Sequence, residues 1–352
     1  MRVIFLGLSI TSSWGNGHAT NYRALTKALR ARGHDVGFLE RDVPWYASHR
    51  DAPAAGELYR SLDELRERFA DAVAAADLVV VGSFVPEGVP VAEWVLETAR
   101  GAVAFYDIDT PVSLAKLASG DTEYLSPDLV PRFDVYLSFT AGPTLGVLER
   151  TYGARCARAF HCLVDPDAYR AVPVPRRWAL GYLGTYSDDR QPAVERFLVE
   201  PARALPEERF CVAGPQYPPS LEWPENVERI EHLAPANHPA FYCAQDFTLS
   251  VTRRDMRRAG WSPSVRLFEA AACGVPVITD RWPGVERFFE PRREIVVADE
   301  PEDVVRALTR IDEEERQAIG EAARRRVLAE HTAADRAEEL EQIVKELAAV
   351  GA

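Results

Sequence analysis

The sequence predicts an α/β protein built from two doubly wound parallel sheets, with a cleft between them. Three observations carry that expectation. Short apolar runs alternate with helical stretches, which is the signature of βαβ units and a parallel sheet. The series breaks once, at a proline-containing segment, and then begins again. The chain has 352 residues, 47% of them hydrophobic, which suffices for two domains that each bury a core.

The elements follow in order. Val3–Leu8 is a continuous apolar run, as expected of a strand covered on both faces. A glycine-containing turn, Ser12–His18, leads to a helix over Ala19–Arg32 that stops at Gly33. Val36–Leu39, Leu78–Val81, Ala102–Tyr106, Val135–Ser138 and Ala157–Phe160 read as strands, and Leu58–Ala75 and Val91–Arg100 as helices. Between Val164 and Arg177 three prolines and little apolar periodicity suggest a linker. Strands are expected again at Ala179–Leu183, Phe210–Ala213, Phe247–Val251, Val275–Thr279 and Ile295–Val297, and helices from Pro301 onward. The expected divisions are residues 1–170, 171–330 and a terminal helix within 331–352. That helix carries an apolar stripe at Leu340, Ile343, Val344, Leu347 and Ala348, which needs a partner surface.

Composition narrows the class. A formal net charge of −13 argues against nucleic acid or an anionic membrane surface as the main partner. The opening run MRVIFLGLSI is too short to span a bilayer, and no targeting segment is read, so the cytoplasm is the expected location. Five cysteines without a CxxC read as buried small hydrophobes in a reducing compartment. A homodimer is compatible with everything in the sequence.

The most informative stretch is SPSVRLFEAAACGVPVITD, Ser262–Asp280. Ser264 is placed to cap a helix beginning at Val265, whose first free amides and dipole form an anion site. Arg266 in the first turn is unfavourable for the helix alone and makes sense if an anion docks there. Glu269, three residues on, shares its face and can accept hydrogen bonds from ribose hydroxyls one turn behind bound phosphates. The bland alternative is an ordinary capped helix with an Arg–Glu surface pair.

This stretch resembles the donor-binding segment of retaining glycosyltransferases of the GT-B type, and most closely their spore-maturation-protein-like branch with its Arg-x-x-Glu before a small-residue helix. The likeness is specific across Ser262–Asp280 and weaker elsewhere. It implies two Rossmann-like domains, a final helix crossing back to the first, and transfer of a sugar from a nucleotide diphosphate donor, UDP-sugar favoured, with no metal or other cofactor required. In one respect the chain departs from the larger retaining family, which has a second glutamate eight positions earlier; here that position is Trp261. A nucleotide-sugar epimerase and a non-catalytic nucleotide-sugar-binding subunit are the rival readings.

The resemblance also places a phosphate-contacting loop at Gly184-Thr185-Tyr186 with Arg190, though this can equally be a plain strand-to-helix turn. Gly214 ends a strand facing the nucleotide, or simply permits a tight turn; Arg253 adds positive charge, and the base lies against His232-Leu233 by the same analogy. In the first half, Gly15-Asn16-Gly17-His18 allows a ligand to approach backbone amides but is not a GxGxxG fingerprint. His18 is a candidate acid/base group or a plain helix-start residue. Asp107 and Asp109 form a DxD, the metal–diphosphate motif of the other glycosyltransferase fold, GT-A; alternatively one of them is a base, or caps the turn before Pro111. His34, His49, His161, His238 and His331 lack ligand-like spacing and read as structural.

Overall fold

The computed structural model describes residues 1–15 and 17–351. The chain divides into two compact units, Val164–Thr332 and the remainder, which joins Met1–Leu163 to the segment from Ala333 onward.

The first unit holds a seven-stranded parallel sheet: β1 (Arg2–Gly7), β2 (Asp35–Arg41), β3 (Glu57–Tyr59), β4 (Leu78–Gly82), β5 (Ala102–Asp107), β6 (Val135–Ser138) and β7 (Ala157–Ala159). Its order is β3-β2-β1-β4-β5-β6-β7, so the winding reverses between β1 and β4. The central strands are apolar on both faces because helices cover both: Val3, Leu6, Val79 and Phe105 are fully buried or nearly so. The crossovers are α1 (His18–Ala31), the short α2 (Pro44–Ala47), α3 (Leu62–Ala74), α4 (Gly88–Thr98), α5 (Thr110–Ser119) and α6 (Pro143–Arg150).

The second unit holds six parallel strands: β8 (Trp178–Leu183), β9 (Phe210–Ala213), β10 (Val227–Ile230), β11 (Gln245–Ser250), β12 (Val277–Asp280) and β13 (Val296–Ala298). Their order is β10-β9-β8-β11-β12-β13, which puts the reversal between β8 and β11. The helices are α7 (Gln191–Val194) and α8 (Glu200–Ala204), joined by a wider turn, then α9 (His238–Cys243), α10 (Arg254–Ala259), α11 (Val265–Ala272), α12 (Val285–Phe288), α13 (Pro301–Arg310) and α14 (Glu313–Glu330). The last helix, α15 (Ala333–Gly351), belongs to the first unit, where it packs on α1 and β5. Its buried line runs through Ala333, Ala337, Leu340 and Ile343, while Ala348 is exposed. Glu341 fastens it to Arg32 at 2.6 Å and to His34 at 2.7 Å.

Three expectations about elements need correction. Leu58–Ala75 is not one helix: Glu57–Tyr59 pairs with β2, and the helix starts only after Ser61, whose hydroxyl accepts from the Glu64 amide. Val227–Ile230 is a strand that the sequence reading left out. Residues 164–177 are not a free linker. Tyr169 is 6% exposed inside the second unit, and the Val172 and Arg177 amides donate to Cys243 Sγ and the Ala244 carbonyl. Among the described residues no helix is long and apolar enough to cross a membrane.

Candidate functional site

In an open α/β sheet, ligands bind outside the carboxyl ends of the strands where the winding reverses. In the second unit that place is the end of β8 beside α11. Leu183 closes β8, and its carbonyl accepts from Arg266 Nε. The Arg266 guanidinium lies 4.9 Å from the centre of the Tyr182 ring, and its Nη1 donates to Ser264 Oγ at 3.4 Å. Gly184 fits beneath this group because it has no side chain: a Cβ there would meet Tyr182 Oη at 2.5 Å and Arg266 Nη2 at 3.0 Å. Gly214, at the end of β9, meets the Gly184 carbonyl so closely that a Cβ would stand 2.0 Å from its oxygen. With φ at +146° it also adopts backbone that favours glycine. The structure therefore brings Gly184, Gly214, Ser264, Val265 and Arg266 together.

Two expected details change. Ser264 is the N-cap of α11 by backbone, but its side chain makes no capping bond, because its hydroxyl accepts from Arg266 instead. The first amides of α11 are thus not taken by that side chain. The surface-pair alternative fails as well. Arg266 is 8% and Glu269 4% exposed, and Tyr242 Oη donates to Glu269 Oε2 at 3.0 Å. Burial pushes that carboxyl up to about 7.

The loop after Gly184 is closed on itself. Arg190 Nη2 donates to the Thr185 carbonyl at 2.7 Å, and Tyr186 Oη to Asp188 at 2.6 Å. Arg253 is the N-cap of α10, one turn past β11. Trp261 occupies left-handed backbone at φ +45°, with its amide donating to the Pro283 carbonyl and its indole filling the space over Gly284. His238, read as structural, bonds Tyr169 and the Leu233 carbonyl. Tyr169, Tyr182 and Tyr242 were missed by sequence reasoning, since a lone tyrosine in a loop or strand carries no periodic signal.

In the first unit the winding reverses between β1 and β4, and the loop after β1 leads into α1. Glu40 holds that loop: it is fully buried and accepts from the amides of Ile10 and Thr11 and the hydroxyls of Ser9 and Thr11. Gly17 precedes His18 there; Asn16 lies outside the described residues. His18 Nε2 stands 3.6 Å from Asp109 Oδ2, and its ring meets Phe84 edge-on. The two DxD carboxylates therefore part company. Asp107 is fully buried; Oδ1 accepts from Ser113 Oγ at 2.8 Å and the Asp109 amide at 3.2 Å, and Oδ2 from Tyr136 Oη at 2.5 Å. Burial pushes its carboxyl up to about 6. Asp107 is an anchor of the turn after β5, and Asp109 is the carboxylate that meets His18. Among the described residues no three His, Cys, Asp or Glu side chains converge as metal ligands would.

Comparison with known proteins adds the following. Residues 190–342 match a family model described as glycosyl transferase-like. None of the curated proteins compared matches the chain. Among solved structures, sucrose-phosphate synthase from Thermosynechococcus elongatus superposes with a TM-score of 0.71 at 15% identity, covering 99% of this chain and 100% of its own. HepE from Anabaena, in complex with UDP-glucose, gives 0.71 at 13% identity over 98% and 100%. An alpha-glucosyltransferase in complex with UDP-glucose and DNA gives 0.76 at 14% identity over 98% and 99%. These likenesses span the whole chain, and the fold is GT-B.

Proposed function

From a GT-B fold and a glycosyl transferase-like domain, we propose that this enzyme moves a glycosyl group from a UDP-sugar to an acceptor. The observation that carries the reading is the cluster at the end of β8. A buried arginine, backbone bared by two glycines and the first amides of α11 meet at the reversal point of the sheet. Such a cluster suits a diphosphate, with Glu269 one turn behind it for the ribose. UDP-glucose in the HepE and alpha-glucosyltransferase structures supports a uridine donor.

The chemistry follows from charge. Breaking the sugar–phosphate bond leaves negative charge on the diphosphate. Arg266 and the helix amides neutralise it, joined by Arg253, and preorganised groups of this kind lower the barrier without a proton transfer. Arginine supplies the positive charge, so turnover is expected to survive EDTA. With the leaving group stabilised in this way a retaining transfer needs no enzymic nucleophile, and retention is the outcome we favour. One observation favours a second reading, inversion with His18 as base: Asp109 is placed to orient its imidazole.

Calorimetry with UDP tests the site. Glu269→Ala is expected to weaken binding by about 1–3 kcal/mol, the cost of leaving hydroxyls unpaired. Unchanged affinity in a folded variant would remove the assignment. Product analysis with UDP-glucose separates transfer from its rivals, since an epimerase gives an isomeric UDP-sugar and a binding subunit gives no turnover.

A further inference from the structure

A cavity of about 470 Å³ opens in the second unit where β12 and β13 end. Asp280 and Trp282 line it, each 1% exposed, and each keeps a buried polar atom without a partner. Asp280 Oδ1 is engaged, accepting from the Thr252 amide at 3.0 Å and the Thr252 hydroxyl at 2.8 Å. Its Oδ2 accepts from no group among the described residues, and Trp282 Nε1 donates to none. A buried donor or acceptor left in that state costs free energy, so the pair points to something that binds there. One water does not account for the space, since a water takes about 30 Å³ of liquid volume.

The wall selects the chemistry of the ligand. A group bound there must donate to Oδ2 and accept from Nε1, and a hydroxyl does both. An anion would face Asp280, Glu286 and Asp299, and a cation would face Arg196, Arg257 and Arg281. A neutral polyol meets neither objection. Arg196 and Arg281 are occupied by Glu300 and Asp299. Arg257, exposed on α10, forms no ion pair among the described residues and is able to donate to a further hydroxyl. The volume is that of an ordinary small-molecule site. We propose that this cavity seats the ring of a neutral sugar, with Asp280 accepting from its hydroxyls and Trp282 donating to them. That the polyol is a sugar rests on the glycosyl transfer proposed above. The cavity shares no residue with the diphosphate cluster at β8, yet the two are tied. The Trp261 amide donates to the Pro283 carbonyl at 2.7 Å and its indole covers Gly284, which fixes the loop bearing Trp282 to the segment that enters α11.

Nitrogen-edited NMR of the full chain tests this, with free glucose and galactose as the probes. The chain has seven tryptophans, and Trp282→Phe identifies which indole N–H signal belongs to Trp282. That signal is expected to shift saturably as hexose is added. Asp280→Asn keeps an oxygen for Thr252 and puts an N–H donor where the free oxygen was. It is expected to weaken hexose binding roughly tenfold or more and to leave UDP affinity unchanged. A Trp282 signal that neither hexose moves, or unchanged hexose affinity in folded Asp280→Asn, overturns the proposal. Should Asp280→Asn not fold, Arg257→Met at an exposed position decides by the same titration: weaker hexose binding is expected, and unchanged binding overturns the idea. A titration with saturating UDP-glucose present identifies the source of the sugar. Hexose bound alongside UDP-glucose marks a separate saccharide, the acceptor. A Trp282 signal already shifted by UDP-glucose, with hexose excluded, marks the sugar of the donor itself. Failure of wild type to bind UDP would count against the nucleotide reading and leave the hexose titration to decide the cavity.

Discussion

At the scale of single residues, Asp107 and Asp109 show what a motif leaves unsaid. The letters DxD give two carboxylates two apart, and strand alternation says that they share a face. The chain leaves β5 at Asp107, however, and the turn that follows sends Asp109 to His18 while Asp107 stays with Tyr136 and Ser113. Which carboxylate faced inward depended on partners about thirty residues away and was not legible locally. The burial of Asp107 has a measurable sign. Its carboxyl is raised from 3.8 to about 6, so the protonated form is favoured by folding. Its contribution is fully present below about pH 4 and is lost as pH rises through 6. Asp280, raised to about 6 by burial, acts in the same direction. The thermal midpoint of wild type is therefore expected to decline between pH 4 and pH 7, and Asp107→Asn is expected to flatten part of that decline. An equally steep profile in the variant would show that Asp107 does not titrate in this window. For the chemistry, His18→Ala is expected to lower kcat by 100-fold or more if transfer inverts, and only modestly if it retains; a kcat/KM comparison with Asp109→Asn, together with the anomeric configuration of the product, tells the two apart.

At the scale of elements, the inner strands of both sheets were read from the sequence, as were the edge strands β7 and β13. β1, β6 and β9 are short, mostly apolar runs because nearly all of their residues are buried. β3 sits at one edge of the first sheet and β10 at one edge of the second, and their charged residues hide them from a hydrophobicity pattern. α11 was legible because three alanines and a glycine let a helix approach its sheet, and Arg266 was conspicuous in a first turn. The 164–177 segment was misread because prolines signal an unpaired backbone, yet the buried Tyr169 and the bonds of the Val172 and Arg177 amides anchor it. The glycines at the ends of β8 and β9 were visible as letters, but their mutual contact was not. Gly214→Ala puts a methyl group 2.0 Å from the Gly184 oxygen and demands an unfavourable φ. It is expected to cost about 1–3 kcal/mol of stability and to weaken UDP binding by displacing Gly184. A melting curve and a UDP titration on the variant check both, and full retention of either would mean that the loop yields without consequence.

At the scale of the molecule, the first unit is discontinuous in sequence. Residues up to Leu163 make its sheet, and α15 covers α1 and β5 only after the second unit has been traversed. The apolar stripe of α15 was legible as a periodicity, although its buried line lies one turn nearer the helix start than the sequence suggested. Ending the chain after Thr332 keeps the stack of His331 on Phe268 and its carbonyl bond to the Val164 amide, so the second unit stays whole. Such a truncation is expected to lower solubility and turnover while leaving UDP affinity nearly unchanged; undiminished solubility and turnover would show that α15 is dispensable. The same discontinuity sets a timetable during synthesis. The first sheet leaves the ribosome early, yet the helix that covers α1 is translated after 169 intervening residues, Val164 to Thr332. At about 5–20 residues per second, the nascent first unit waits on the order of ten seconds or more with that face bare. The second unit, contiguous in the chain, closes its own core during the wait. The domain that starts first finishes last, and its uncovered interval is when a chaperone has most to protect.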